Sequence, residues 1–147
     1  MAKYAVAGNK GTASVRTIIN ARADASAASR GKVYDYMVGS ITTPADSTFD
    51  HELYRTSTAG TGSAVTPSPL DPADAASVND ASDTITADPT IGVLLMRVPL
   101  NQRATYRWVA APGGELVWPA TASNGISGGL AAASTTDFSA TLMVDTQ

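Results

Sequence analysis

The sequence predicts an all-β fold: a single-domain antiparallel β-sandwich spanning residues 1–147, with about eight strands. Short runs of β-favouring residues recur along the chain, separated by clusters of Gly, Pro, Asn, Asp, Ser and Thr. Almost no segment has helical periodicity. Two packed four-stranded sheets would account for eight strands, so a jelly roll is the predicted version of the sandwich.

The candidate strands are, in chain order, KYAVAG (3–8), ASVRTIIN (13–20), KVYDYMVGSI (32–41), TFDHELYRT (48–56), IGVLLMRVP (91–99), ATYRWVA (104–110), ELVWPA (115–120) and FSATLMVD (138–145). Strict alternation within 33–38 places Val33, Asp35 and Met37 on one face of their strand. The stretch 91–98 is almost continuously apolar, which is typical of a central strand covered on both faces.

Two long connections interrupt these strands. Residues 21–31 are small and polar, which indicates a flexible loop or a frayed helical turn. The segment 57–89 is longer than loops without a function usually are in a compact domain, so we expect it to contact a neighbouring molecule. Asp71 stands where a helix N-cap belongs and Pro72 follows it at the first-turn position, which predicts one short helix within an otherwise extended loop.

Composition excludes several classes of protein. The net charge of −3 argues against general nucleic-acid binding. Cysteine is absent, so the chain has no disulfide framework, thiolate nucleophile or Cys-based zinc site. No apolar run is long enough to predict a membrane span, and the first residues do not resemble a signal peptide. We therefore expect synthesis in a cytoplasm.

Charge is distributed unevenly along the chain. Six of the ten basic residues lie within the first 32 positions, whereas residues 35–90 carry nine of the thirteen acids and one base, Arg55. A basic end and an acidic middle could meet head to tail between like subunits. Folding could equally interleave them within one chain, and the sequence leaves both alternatives open.

No catalytic, metal or cofactor site is predicted. His51 is the single histidine, and its neighbours Asp50 and Glu52 point to the opposite face of the strand, so a catalytic triad is not indicated. The aspartates between 71 and 88 match no compact calcium loop. AGNKGTAS (7–14) lacks the phosphate-loop pattern, and Glu52 and Glu115 have no feature typical of a glycosidase pair. We expect that the protein is not an enzyme.

Both tryptophans lie in RWVAAPGGELVWP (107–119), on either side of Pro112-Gly113-Gly114. If these three residues form a hairpin loop, Trp108 and Trp118 are opposite each other and their rings touch. A loop of two or four residues would place them on opposite faces. Only the first geometry builds an aromatic platform for a sugar, and packing within the sandwich or between subunits is the favoured interpretation.

Four segments carry a resemblance to a known group of proteins: MAKYAVAGN, VYDYMVGSITTPAD, YRTSTAGTGSAVTPSPLDPADAA and NQRATYRWVAAPGGELVWPATASNGI. Together they span most of the chain, and it resembles capsid decoration, or cement, proteins of tailed bacteriophages. The resemblance implies a structural virion protein with a compact β-fold, usually a homotrimer, bound to the major capsid protein on the outer surface of the shell. It implies no catalytic residue.

We expect contacts to capsid or sister subunits from the basic N-terminal region, the long segment 57–89 and the tryptophans. The candidate contact residues are Lys3, Lys10, Arg16, Arg22, Arg30, Pro67, Leu70, Trp108 and Trp118. Two other functions stay open on sequence grounds. One is a glycan-binding jelly-roll module of a receptor-binding fibre, using Trp108, Trp118 and Tyr106; the other is a neck or tail component.

Overall fold

The computed structural model describes residues 2–146 and has twelve β-strands, with no helix among those residues. The strands are β1 (Lys3–Asn9), β2 (Thr17–Arg22), β3 (Gly31–Ser40), β4 (Thr48–Thr56), β5 (Thr61–Val65), β6 (Ser68–Pro69), β7 (Asp80–Ala87), β8 (Ile91–Asn101), β9 (Tyr106–Val109), β10 (Leu116–Trp118), β11 (Gly125–Leu130) and β12 (Phe138–Thr146). The prediction of an all-β chain is confirmed, although the strands number twelve rather than about eight.

The strands form two antiparallel sheets that enclose one hydrophobic core. Sheet A has the order β10-β3-β12-β1-β6, with β9 also pairing β3, and sheet B has the order β5-β7-β2-β11-β4-β8. Without β5, β6 and β7, and with β9 and β10 counted as one strand, eight strands remain. Sheet A then has the order β1, β12, β3, β9/β10, and sheet B has the order β2, β11, β4, β8. With the eight strands renumbered 1 to 8 along the chain, these orders are 1-8-3-6 and 2-7-4-5, the strand order of a jelly roll. The β-sandwich prediction is confirmed.

Sequence analysis missed four strands. Three of them lie within residues 57–89, and the fourth, at the centre of sheet B, is β11. Its sequence GISGGL has three glycines and no apolar alternation, yet all six residues are buried. A Cβ at Gly128 would lie 2.6 Å from a ring carbon of Tyr36, and one at Gly129 would lie 2.6 Å from the Tyr54 hydroxyl. The glycines are therefore needed because two buried tyrosines occupy the space of their side chains.

The connection 57–89 belongs to the sheets instead of forming one long loop. Strands β5 and β7 extend sheet B beyond β2, and β6 extends sheet A beyond β1. The short helix predicted at Asp71 was wrong: the Asp71 carboxylate accepts the N–H of Ala73 at 2.9 Å, and its carbonyl accepts the N–H of Asp74 at 3.0 Å. Asp71 thus caps a tight turn, as aspartate does in an Asx-turn, and the chain does not continue into a helix.

A β-bulge in β3 breaks the predicted alternation. Val33 pairs with Val144 and Asp35 pairs with Met143, so Tyr34 is the extra residue. After the bulge the face changes, and both Val33 and Tyr36 are fully buried in the core. Asp35 forms an ion pair with the exposed guanidinium of Arg107 on β9. The Nε of Arg107 lies 3.1 Å from each of the two Asp35 carboxylate oxygens.

Strands β9 and β10 do not form the predicted hairpin. Trp108 pairs with Tyr36 and Trp118 pairs with Gly31, so both strands run in the same direction along β3. The Pro-Gly-Gly segment is a loop that projects from one interrupted edge strand, with Gly113 at a φ of 82°. Loop parity therefore does not determine how the two tryptophans are placed. Trp118 lies over Gly31, where it is fully buried.

Substitution of Gly31 tests this packing. A Cβ there would lie 2.2 Å from Cζ2 of the buried Trp118 ring, so we expect Gly31→Ala to destabilise the fold by roughly 1–3 kcal/mol. The matched control is Gly92→Ala on β8, where the nearest atom to the new Cβ, the carbonyl oxygen of Arg55, is 3.3 Å away, so the expected destabilisation is smaller, below about 1 kcal/mol. Urea unfolding measures both, and equal midpoints for the two variants would contradict the assigned packing.

Candidate functional site

The most unusual feature of the fold is β8, an apolar strand that no other element covers. It lies at the edge of sheet B and pairs only with β4, and none of its eleven residues is buried. Val93 is 65% exposed and Leu94 is 43% exposed. The prediction of a central strand covered on both faces was wrong. Native proteins usually blunt such edges, because their unpaired N–H and C=O groups can pair with another chain.

The unpaired edge of sheet A lies beside β8. The hydroxyl of Tyr106 on β9 lies 3.9 Å from the sulfur of Met96 on β8, so the two edges meet across the sandwich. At their other end Arg55 of β4 donates a hydrogen bond to the carbonyl of Val117 on β10. We call the surface formed by β8, β9 and β10 the open side.

The hydrophobic core is incompletely covered at the open side. Nine half-buried hydrophobic residues pack against the core, and five of them belong to the open side: Leu95, Met96, Tyr106, Trp108 and Leu116. Three of the six large hydrophobic residues that are most exposed belong to it as well: Val93, Leu94 and Val109. Clustered exposed apolar area of this kind is typical of surfaces that bind another molecule.

The single charge on β8 is neutralised within the chain. The guanidinium of Arg97 donates to the Glu52 carboxylate at 2.7 Å and lies 3.9 Å from that of Asp50. Glu52 is itself buried and lies 4.0 Å from Arg16. Since Arg97 is already paired, the edge carries no free charge that would repel a neighbouring strand. Two kinds of protection against edge pairing are present: Pro99, which lacks the N–H needed for pairing, and two register shifts in the pairing of β8 with β4, between Ile91 and Met96.

The structure places the predicted basic contact residues in different environments. Arg16 donates to the carbonyl of Ala131 at 3.1 Å, and Arg22 lies 3.7 Å from Asp80. Lys3 and Arg30 are exposed, and the Lys3 ammonium lies 5.2 Å from the ring centroid of Tyr34. The fold therefore interleaves part of the basic end with the acidic middle, the second of the two alternatives.

Lys10 was wrongly predicted to be a surface contact. It is only 6% exposed, and its ammonium donates to the carbonyls of Thr12 at 2.8 Å and Ser134 at 2.7 Å. Burial lowers the pKa of Lys10 below its ordinary value, because the charged form loses solvation. Lys10 therefore ties two loops together and cannot reach a partner.

Of the two contacts predicted in the inserted segment, one is accessible. Pro67 is buried, because β6 and the residues before it join the edge of sheet A, whereas Leu70 is 51% exposed. The N–H of Leu70 donates to the carbonyl of Lys3 at 2.8 Å. The backbones of Lys3 and Leu70 therefore meet at the edge formed by β1 and β6, whereas the Lys3 ammonium lies against Tyr34 on β3.

The two tryptophans do not form a platform. The Trp118 side chain is fully buried in the core, so as a predicted contact residue it was wrong, and Trp108 is half-buried. The sequence named neither Val93 nor Leu94, although both are more exposed than either tryptophan. One signal could have found them: proline within a strand is confined to edges, and Pro99 lies in the same run.

Within residues 2–146 no group of three or more His, Cys, Asp or Glu side chains comes close enough to hold a metal ion. His51 is buried, and its ring is nearly perpendicular to that of Phe138, with the two ring centroids 5.1 Å apart. Its Nδ1 has no hydrogen-bond partner in the described part of the chain. A histidine oriented by a phenylalanine and lacking a carboxylate partner is not arranged as a general base. A surface hollow of about 660 Å³ lies between Arg30 and Arg55 and is open to solvent.

Comparisons with models of protein families, with curated proteins and with solved structures find no match for this chain. No helix long and apolar enough to cross a membrane occurs in the described residues.

The buried His51 predicts a pH dependence of stability. Burial lowers its pKa below 6.5, and the nearby Asp50 charge opposes this only partly. Below the unfolded pKa the unfolded chain binds a proton that the folded chain does not, so stability is lost as the pH falls from 6.5 towards the folded pKa. We expect the free energy of unfolding to decrease more steeply between pH 7 and about pH 5 for the natural chain than for His51→Gln. Parallel pH profiles in urea titrations would contradict this.

Proposed function

We propose that this chain is a structural virion protein: a capsid decoration protein that binds the outer surface of a bacteriophage shell as a homo-oligomer and stabilises it. The observation that carries the proposal is β8, an exposed apolar strand on an otherwise closely packed jelly roll. Such an edge suits a protein that works by association. The resemblance of its sequence to decoration proteins supplies the capsid as the partner, and a trimer is the expected oligomer.

The accessible contact residues support a division of labour between two surfaces. The open side is apolar and suits subunit association, whereas the backbones of Lys3 and Leu70 are hydrogen-bonded at the edge of β1 and β6. This second surface has an exposed ammonium and an exposed apolar side chain, which are groups that can recognise a folded partner. We assign it to the major capsid protein.

The mechanism requires no reaction. A protein that binds the assembled shell and not its dissociated subunits stabilises the assembled state by mass action. An oligomer placed on a symmetry axis of the shell engages several equivalent sites at once, so weak individual contacts add to a large avidity. Synthesis in the host cytoplasm and assembly onto the outer capsid follow from this function.

The test uses capsids that lack the protein. We expect the purified chain to co-sediment with them and to raise their melting temperature, because only the assembled shell binds it. The double variant Lys3→Glu/Leu70→Asp should bind at least about tenfold more weakly, which corresponds to a loss of about 1.4 kcal/mol. The matched control Ile41→Asp alters a side chain of similar exposure, 54%, at a different place and should bind normally.

Two outcomes would overturn the proposal. One is the absence of binding to any capsid form by a correctly folded chain. The other is labelling of virions that places the protein in the neck or tail, which would favour the tail component as its function.

A further inference from the structure

We infer that the open side is the self-association interface, and that its occupant is a second copy of this chain. The inference deepens the proposed function, since it rests on the homo-oligomer proposed there and names its surface. It starts from residues 91–96 of β8, which have the sequence IGVLLM and no charge or proline. Short uncharged segments of high β-propensity on an exposed edge are the ones that pair with other strands.

The opposite edges of the two sheets are guarded, so they do not offer an alternative. Sheet A ends there in β6, which has two residues, one of them Pro69. Sheet B ends in β5, with the polar sequence TGSAV. Short strands, proline and polar side chains are the usual means of preventing edge pairing. The open side keeps a longer and more apolar edge strand than the opposite side, and this contrast supports coverage of the open side by a partner.

The extent of the apolar surface favours a folded partner over a single extended peptide. A peptide added to β8 would cover the edge of sheet B, but Trp108 and Leu116 belong to sheet A. A stable interface generally buries about 800 Å² on each partner. A second folded copy can cover the edges of both sheets at once, which one added strand cannot.

The chemistry of β8 favours a copy of itself. An apolar edge needs an apolar edge as its partner, and each copy of this chain brings one. Association of two copies through residues 91–96 and their neighbours on the open side sets apolar residues against apolar residues. The charge of Arg97 stays outside that segment, where Glu52 and Asp50 already neutralise it. Packing of the same surface about a three-fold axis would use these side chains without strand pairing.

The experiment measures oligomeric state without any capsid. Sedimentation velocity and light scattering, over a dilution series, are applied to the natural chain, Val93→Lys and Val78→Lys. Both valines are highly exposed, at 65% and 56%, but Val78 lies in the inserted segment away from β8. We expect the natural chain and Val78→Lys to be larger than the 15.0 kDa protomer. Val93→Lys should dissociate at least about 100-fold more readily, because its ammonium must be desolvated in the interface.

Circular dichroism and urea unfolding verify that Val93→Lys is folded, and Leu94→Lys provides a second variant on the same strand. A natural chain that stays at protomer mass at the highest concentration, or variants on β8 that assemble normally, would overturn the inference. Failure of the decoration function is distinguishable: an oligomer that dissociates on Val93→Lys but binds no capsid refutes decoration and leaves this interface standing.

Discussion

The backbone of β8 has unpaired N–H and C=O groups along one edge. Which sheet edges are protected from pairing, and which are not, explains the arrangement of this fold. An open sheet has two edges, and each can pair with another chain unless it is short, twisted, charged or covered. Here the insertion between β4 and β8 supplies β5, β6 and β7 and terminates both sheets on one side with short or polar strands. The other side keeps a long apolar strand, and it is there that we propose association.

The interior is built so that this edge can remain exposed without loss of the fold. Strand β11 lies between β2 and β4, and its glycines admit Tyr36 and Tyr54 where ordinary side chains would clash. Gly31 does the same for Trp118 on sheet A. These tight contacts bury large aromatic rings away from the open side, and such packing contributes much of the stability of a domain of this size.

The jelly roll could be predicted from the sequence because its strands are short, apolar and separated by turn residues, as in TFDHELYRT. Other features could not. GISGGL has no alternation, since its burial depends on tyrosines far away in the chain, and the bulge at Tyr34 shifts the face of β3 without any local signal. Lys10 was expected at the surface, because burial of a lysine depends on tertiary contacts such as the carbonyl of Ser134. For Trp118 the sequence left packing within the sandwich and packing between subunits open, and the structure shows the first. A continuously apolar segment predicts a buried strand, but none of the residues of β8 is buried within this chain.

The central claim is that β8 pairs or packs with another copy of the chain, and hydrogen–deuterium exchange measured as a function of protein concentration tests it most directly. Amides that gain hydrogen bonds or lose solvent access on association exchange more slowly. The account predicts that protection of residues 91–96 rises with concentration, whereas that of the exposed edge strand β5 stays constant. Exchange in 91–96 that is equally fast at every concentration would contradict it.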